Sequence, residues 1–150
     1  MKRVPELRDL SDDHHTGLLL ARRCKQLGDR ERDPSTEAFW DLIEEAFVLH
    51  LAPHFEIEER LLVPALEALG EASLAERIRA DHAALRALHE AKAPRLASIV
   101  EFGERLEAHI RFEERHVFEP TQDRLPANVL EAIAAACEAT PRACPAFLRP

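Results

Sequence analysis

The stretch His54-Phe55-Glu56-Ile57-Glu58-Glu59-Arg60-Leu61-Leu62-Val63-Pro64 has a second copy in the chain, His109-Ile110-Arg111-Phe112-Glu113-Glu114-Arg115-His116-Val117-Phe118-Glu119-Pro120. Both copies open on His, put apolar residues at the second and fourth positions, continue Glu-Glu-Arg, and run through an apolar pair to a proline. A second echo joins Asp13-His14 to Asp81-His82. Positions i and i+4 of an α-helix share a face and are separated by about 6 Å along its axis. His54/Glu58 and His109/Glu113 therefore each present an imidazole beside a carboxylate. One such pair alone reads as a solvated couple on a helix surface. Two copies read differently, because His54 is in phase with Phe47 and Leu51, and His109 with Phe102 and Leu106. Ionisable groups on core-facing stripes are costly to bury without partners. With His14 and His82 on apolar stripes as well, the set points to a metal site.

Working outward, the composition agrees with a helical fold. Ala and Leu dominate, Gly is 4, Tyr is 0, and the β-branched residues that build sheets are sparse. The 150 residues read as one domain over 1–150, with a bundle at about 10–124 and a C-terminal helix and tail at 125–150. The balance of 28 acidic against 20 basic residues, a net charge of -8, disfavours nucleic acid and anionic membrane as partners. No run approaches the ~20 apolar residues of a membrane span, and the opening Met1-Lys2-Arg3 lacks a secretory apolar region. Cys24, Cys137 and Cys144 are odd in number and form no C-x-x-C pair, so reduced thiols in a cytoplasmic protein are expected.

Proline and glycine punctuate the helices. Ser11 or Asp12 is expected to cap a first helix running to Gly28, its stripe formed by Leu10, His14, Gly17, Ala21 and Cys24. A charged loop spans Asp29 to Asp33. Pro34, Ser35 or Thr36 then starts a second helix, kinked at Pro53 and ending near Leu69 before Gly70. Ser73 is expected to open the third helix, and Pro94 to precede the fourth. Pro120 and Pro126 are expected to frame a break before a short helix from Val129 to Cys137, with a loosely packed tail from Pro141 to Pro150. Four long amphipathic helices on short connections predict an all-α, up-down-up-down four-helix bundle with a short extra C-terminal helix.

The remaining titratable residues are less decided. Glu59 and Glu114 lie about 100° round the helix from Glu58 and Glu113, and are either solvated or partners of the ligands. His14 is the inward member of His14-His15. His116, seven residues past His109, is placed on the same face as a core histidine. His50 is one turn before His54 and His89 two turns after His82, so with the second and third helices antiparallel both project toward the same end of the bundle, as extra ligands, partners of ligands, a proton path or plain packing.

The paired H-x-x-x-E motifs, each running into Glu-Arg and a downstream proline, together with Asp-His in the first and third helices, resemble the hemerythrin-like family of HHE cation-binding domains. The resemblance spans roughly residues 10 to 120. It implies a four-helix bundle around two iron ions with an oxo or hydroxo bridge. Carried over by position, His14 and His54 would serve one iron, His82 and His109 the other, and Glu58 and Glu113 would bridge them. Two departures from the family's oxygen carriers stand out: Arg86 occupies the position four after His82, and Glu113 stands where they use H-x-x-x-x-D. The resemblance therefore implies a centre that binds, senses or reacts with a small oxidant (oxygen, nitric oxide or peroxide) at an unsaturated iron, rather than a reversible oxygen carrier. The departure at Arg86 implies an open position on the iron held by His82 and His109. A peroxide- or nitric oxide-consuming oxidoreductase and a metal-free helical interaction module are the alternatives. The ferritin-like pattern, which needs E-x-x-H, fails because neither Glu44-Glu45 nor Glu58-Glu59 has a His three residues on.

Overall fold

The computed structural model describes residues 2–28, 36–141 and 144–149. A 3-10 turn, Pro5–Leu7, leads into α1 (Arg8–Gly28); α2 (36–68), α3 (Ala72–Glu90), α4 (96–121) and α5 (Ala127–Ala139) follow, and Ala146–Leu148 forms a last 3-10 turn. No strand occurs among the described residues. Contacts fix the directions. Gly17 meets Ile110 and Gly28 meets Val100, so α1 and α4 are antiparallel. Glu67 pairs with Arg79 and Glu44 with His89, so α2 and α3 are too. The long helices form an up-down-up-down bundle, as their apolar stripes require.

Its core is split into two apolar clusters. One gathers Leu20, Cys24, Trp40, Phe47, Phe55, Leu85 and Phe102, and the other Leu7, Leu10, Leu62, Leu66, Ile78, Val117 and Phe118. Between them lies one buried polar layer, built from His14, His54, Glu58, His82, His109 and Glu113. Each long helix thus changes from apolar to polar and back over about two turns, at the positions that carry the repeats.

Three prolines shape the helices without ending them. π-helical stretches at Phe47–Leu51, Glu58–Leu62 and Glu113–Phe118 each end two residues before a proline, Pro53, Pro64 and Pro120. A helical proline lacks an N–H and its ring presses on the carbonyl four residues back. That carbonyl lies inside the π stretch in every case, where the wider turn makes room. The helix runs on through Pro53 to Ala68, close to the expected end, and the feature at the proline is a π turn. The break expected between Pro120 and Pro126 is found there: the helix runs past Pro120 to Thr121, and the turn at 122–125 ends at Pro126, which precedes α5. Gly70, at φ 84°, ends α2, with the Glu71 N–H reaching back to the Leu66 carbonyl at 2.9 Å.

Two starts also differ from expectation. α1 begins at Arg8, because the Pro5 turn opens it, so Ser11 lies inside the helix and Asp12 is not a cap. α3 begins one residue before Ser73, after the non-helical Glu71. The expected loop at Asp29–Asp33 and the start at Pro34 or Ser35 lie outside the described residues. The tail is not loose where it is described: Phe147 is 4% exposed and joins the first apolar cluster.

The α1–α4 approach rests on Gly103. A Cβ there would stand 2.6 Å from Cys24 Cβ and 2.8 Å from the Ala21 carbonyl oxygen, which is rigid backbone. Gly103→Val should therefore separate α1 from α4 and destabilise the fold by about 1–3 kcal/mol, the usual cost of overpacking. Thermal unfolding of the metal-free protein measures this; an unchanged midpoint would contradict the close packing.

Candidate metal centre

Repeat by repeat, the polar layer is assembled by the i, i+4 spacing. His54 Nε2 lies 3.2 Å from Glu58 Oε1, and His109 Nε2 lies 3.2 Å from Glu113 Oε2. The bundle then brings the two copies together. Glu58 Oε2 is 3.3 Å from His82 Nε2, and Glu113 Oε2 is 3.0 Å from His14 Nε2. His14 and His54 approach Nε2 to Nε2 at 3.0 Å, and His82 and His109 at 3.2 Å. The result is two groups, His14/His54/Glu58/Glu113 and Glu58/His82/His109/Glu113, in each of which one atom per residue lies within 4.8 Å of the others. Both groups share the two carboxylates.

These contacts are short, yet no oxygen of Glu58 or Glu113 accepts an aligned hydrogen bond, although both side chains are fully buried. Buried carboxylates without donors are costly. Four imidazole nitrogens and two carboxylates that converge at 3.0–3.3 Å, more acceptors than donors, suit cations placed among them, so the residues present fit a metal pair. All donors are nitrogen and oxygen. The thiols stand apart from both groups: Cys24 and Cys137 are buried, Cys144 is exposed, and none is joined in a disulfide. Burial pushes the Cys24 thiol up to about 12.

Around the layer, every imidazole meets a carboxylate at its other nitrogen. His14 Nδ1 bonds Glu114 Oε1 at 2.6 Å, and His82 Nδ1 bonds Glu59 Oε1 at 2.8 Å. His54 Nδ1 bonds Asp13 Oδ2 at 3.2 Å, and His109 Nδ1 lies 3.4 Å from Asp81 Oδ2. With Nδ1 donating its proton outward, Nε2 is left to face the layer. Each outer glutamate is held in turn by an arginine: Arg3 pairs with Glu114, and Arg86 with Glu59 at 2.6 Å. Phe118 stacks on His14 and Phe55 on His82, with centroids 5.2 and 3.9 Å apart. The Asp-His echo thereby acquires a meaning. Its His joins the layer and its Asp orients the His of the next helix.

The charges follow this geometry. Burial disfavours charge on His54, but Glu58 and Asp13 outweigh it and raise its pKa to about 10. Burial likewise opposes charge on His14, yet contacts with Glu113 and Glu114 leave it raised. Glu58 is held well below the usual carboxylate range, its burial overcome by His54 and His82. Glu114, against the pull of burial, is lowered to about 2 by His14, Ser11 and Arg3.

All six residues singled out in the sequence meet in this layer. Of the residues left open, Glu59 and Glu114 are partners of imidazoles, and His14 is inward while His15 is exposed. His116 is corrected: it is exposed and stacks on Phe112, with centroids 5.9 Å apart. The π stretch at Glu113–Phe118 adds residues per turn and rotates His116 off the face of His109. His89 stacks on Phe47 at 4.0 Å and pairs with Glu44 at 2.7 Å, outside both groups. His50 lines a cavity of about 170 Å³ beside His14, His54 and His109, with Asp12 and Thr16 on its polar side and Leu51, Leu106 and Ile110 on its apolar side. Asp13 and Asp81 were missed as functional residues, though the echo that contains them was visible.

No helix among the described residues is long and apolar enough to cross a membrane. Neither the curated proteins nor the solved structures include a match to this chain. The model of the Hemerythrin HHE cation binding domain family matches residues 6–121, which takes in the whole polar layer and all four long helices. The chain belongs to the hemerythrin HHE cation-binding family.

Proposed function

We propose that this chain holds two iron ions in the buried polar layer and that the pair binds, senses or reacts with a small oxidant such as oxygen, nitric oxide or peroxide. His14 and His54 would ligate one iron, His82 and His109 the other, with Glu58 and Glu113 bridging. The observation that carries this reading is the sharing of two fully buried carboxylates between two His/His groups. A metal-free interaction module has no use for such a layer, which would weaken a helical core for nothing. Nitrogen and oxygen donors without thiolate are compatible with iron, manganese or zinc; the family resemblance favours iron.

Bound iron would supply electrons to, and polarise, a small molecule brought to it. The chain's own residues do the rest. Asp13, Asp81, Glu59 and Glu114 fix the imidazole tautomers. Phe55, Phe118 and the two apolar clusters keep bulk water from the layer. The cavity lined by His14, His54 and His109 offers the reactant a place, and His50 and Thr16 offer it polar contacts. The buried thiols Cys24 and Cys137, neither in a disulfide, suit a reducing, cytoplasmic setting. Binding or sensing of the oxidant and turnover of peroxide or nitric oxide would use the same residues, and spectral change under single- and multiple-turnover conditions separates them.

Protein purified from iron-replete cells should carry about two irons per chain, as a carboxylate-bridged pair requires, and absorb in the near-ultraviolet. The measurement is an iron assay beside an absorption spectrum. A folded, cooperatively unfolding protein that takes up no iron would end the proposal.

A further inference from the structure

The cavity beside the polar layer is one-sided. It reaches His14, His54 and His109 but not His82, whose flank is filled by the stacked ring of Phe55 and the Arg86–Glu59 pair. Every residue lining the cavity lies within the family match, residues 6–121, except one. That one is Pro145, from the C-terminal tail, and it is buried.

The tail is fastened at several points. Phe147, 4% exposed, enters the apolar cluster that contains Trp40 and Phe47. Arg23 of α1 donates to the Phe147 carbonyl oxygen. Arg149 meets Glu45 of α2 at 3.2 Å and folds back onto the Cys144 carbonyl at 3.0 Å. A segment with no part in the His/Glu pattern is thus pinned between α1 and α2, so that one of its residues walls the space beside the cluster. The space itself is larger than a diatomic needs; an apolar cavity of about 150 Å³ holds benzene in another protein.

We propose that Pro145–Arg149 is the roof of a reactant chamber and sets the upper size of the molecule that reaches the His14/His54/His109 flank. The inference rests on the reading of this cavity as the reactant's place. The chamber takes a small neutral or singly charged molecule. Larger anions able to bind a metal are kept out by the roof and not by the ligands.

The test needs variants that loosen the roof by different means: Phe147→Ala removes the apolar anchor, Arg149→Ala the ion pair, and Pro145→Gly the wall itself. In the metal-free protein, diethyl pyrocarbonate labelling read by mass spectrometry reports access to each histidine. Labelling of His50 and His109 should rise roughly ten-fold in Phe147→Ala and in Pro145→Gly, and less in Arg149→Ala, while His82 stays within about two-fold, as a local opening requires. In iron-loaded protein, azide and benzoate are anions of equal charge and unequal size. Benzoate association should rise about ten-fold in the same variants and azide change by less than about two-fold, since only the access of the larger ion is limited. Unchanged labelling of His50 and His109 in all three variants overturns the roof. So does a rise that includes His82 equally in all three, which would make the tail a support of the whole fold. Failure of the metal reading is separable: iron would then be absent from every protein, while the labelling of the metal-free chain still decides the roof.

Discussion

Glu58→Ala and Glu113→Ala should each empty the centre as a whole. Glu58 touches His54 with one oxygen and His82 with the other, and Glu113 meets both His14 and His109. Each carboxylate therefore belongs to both groups of four. Loss of one bridge leaves each site with two imidazoles and one carboxylate, and removes half the negative charge facing two cations. Iron content should fall from about two per chain to less than about one half, not to one, because a bridged pair is lost together. Glu56→Ala, an exposed neighbour on the same helix, should keep its iron. A remaining single iron in either bridge variant would show that the sites are independent.

The same variant has a signature without metal. The raised pKa of His54, about 10, depends on Glu58 as well as Asp13. A histidine whose folded pKa lies above its unfolded value stabilises the fold fully below about 6.5, and that contribution disappears as pH rises through the folded pKa. Metal-free wild type should therefore lose stability between about pH 6.5 and 10. In Glu58→Ala the loss over this window should be smaller, since the principal attraction is gone. Chemical denaturation across that range measures both slopes.

The bundle and the centre of its site were legible because both are written in periodicity. Leu10, His14, Gly17, Ala21 and Cys24 fall on one stripe at helical spacing, and His14 is buried with the apolar members. The H-x-x-x-E pairs give adjacency by local geometry alone. What periodicity does not encode is where it changes. The π stretch at Glu113–Phe118 rotates His116 outward, and a constant 3.6-residue count carried from His109 into that stretch misplaces it. Similarly, Ser11 looks like a cap by type, but the turn opened at Pro5 supplies the helix start.

The outer carboxylates were harder for another reason. Asp13, Asp81, Glu59 and Glu114 act between helices, so their roles depend on which helices touch. The repeats did contain the signal: Asp precedes His in both odd helices, and a second Glu follows the first in both even ones. A two-fold relation of α1–α2 to α3–α4 explains both, since each helix orients the imidazole of a neighbour. The docked tail had no such signal. Phe147 is one aromatic in a proline-rich end, and only the packed structure shows the cluster it enters.

That two-fold relation gives the sharpest expectation for a residue outside the ligand set. Glu59 accepts from His82 Nδ1 at 2.8 Å while Arg86 grips it at 2.6 and 3.2 Å. Glu114 likewise holds His14 and is gripped by Arg3. Removing such an orienting carboxylate typically lowers metal affinity about 10–100-fold, because the ring is free to rotate and its Nε2 becomes less basic. Glu59→Ala and Glu114→Ala should each show a loss of that order in competition with a chelator, while the fold survives. Glu59→Gln, which still accepts a hydrogen bond, should recover part of it, and that recovery separates orientation from simple packing. Arg86→Ala should weaken binding less than Glu59→Ala, since it acts only through Glu59, and the double variant should be no worse than Glu59→Ala alone. Additive losses in the double variant would place Arg86 on a separate path to the metal. Affinities equal to wild type in both glutamate variants would mean that the stacked rings of Phe55 and Phe118 hold His82 and His14 in place without them.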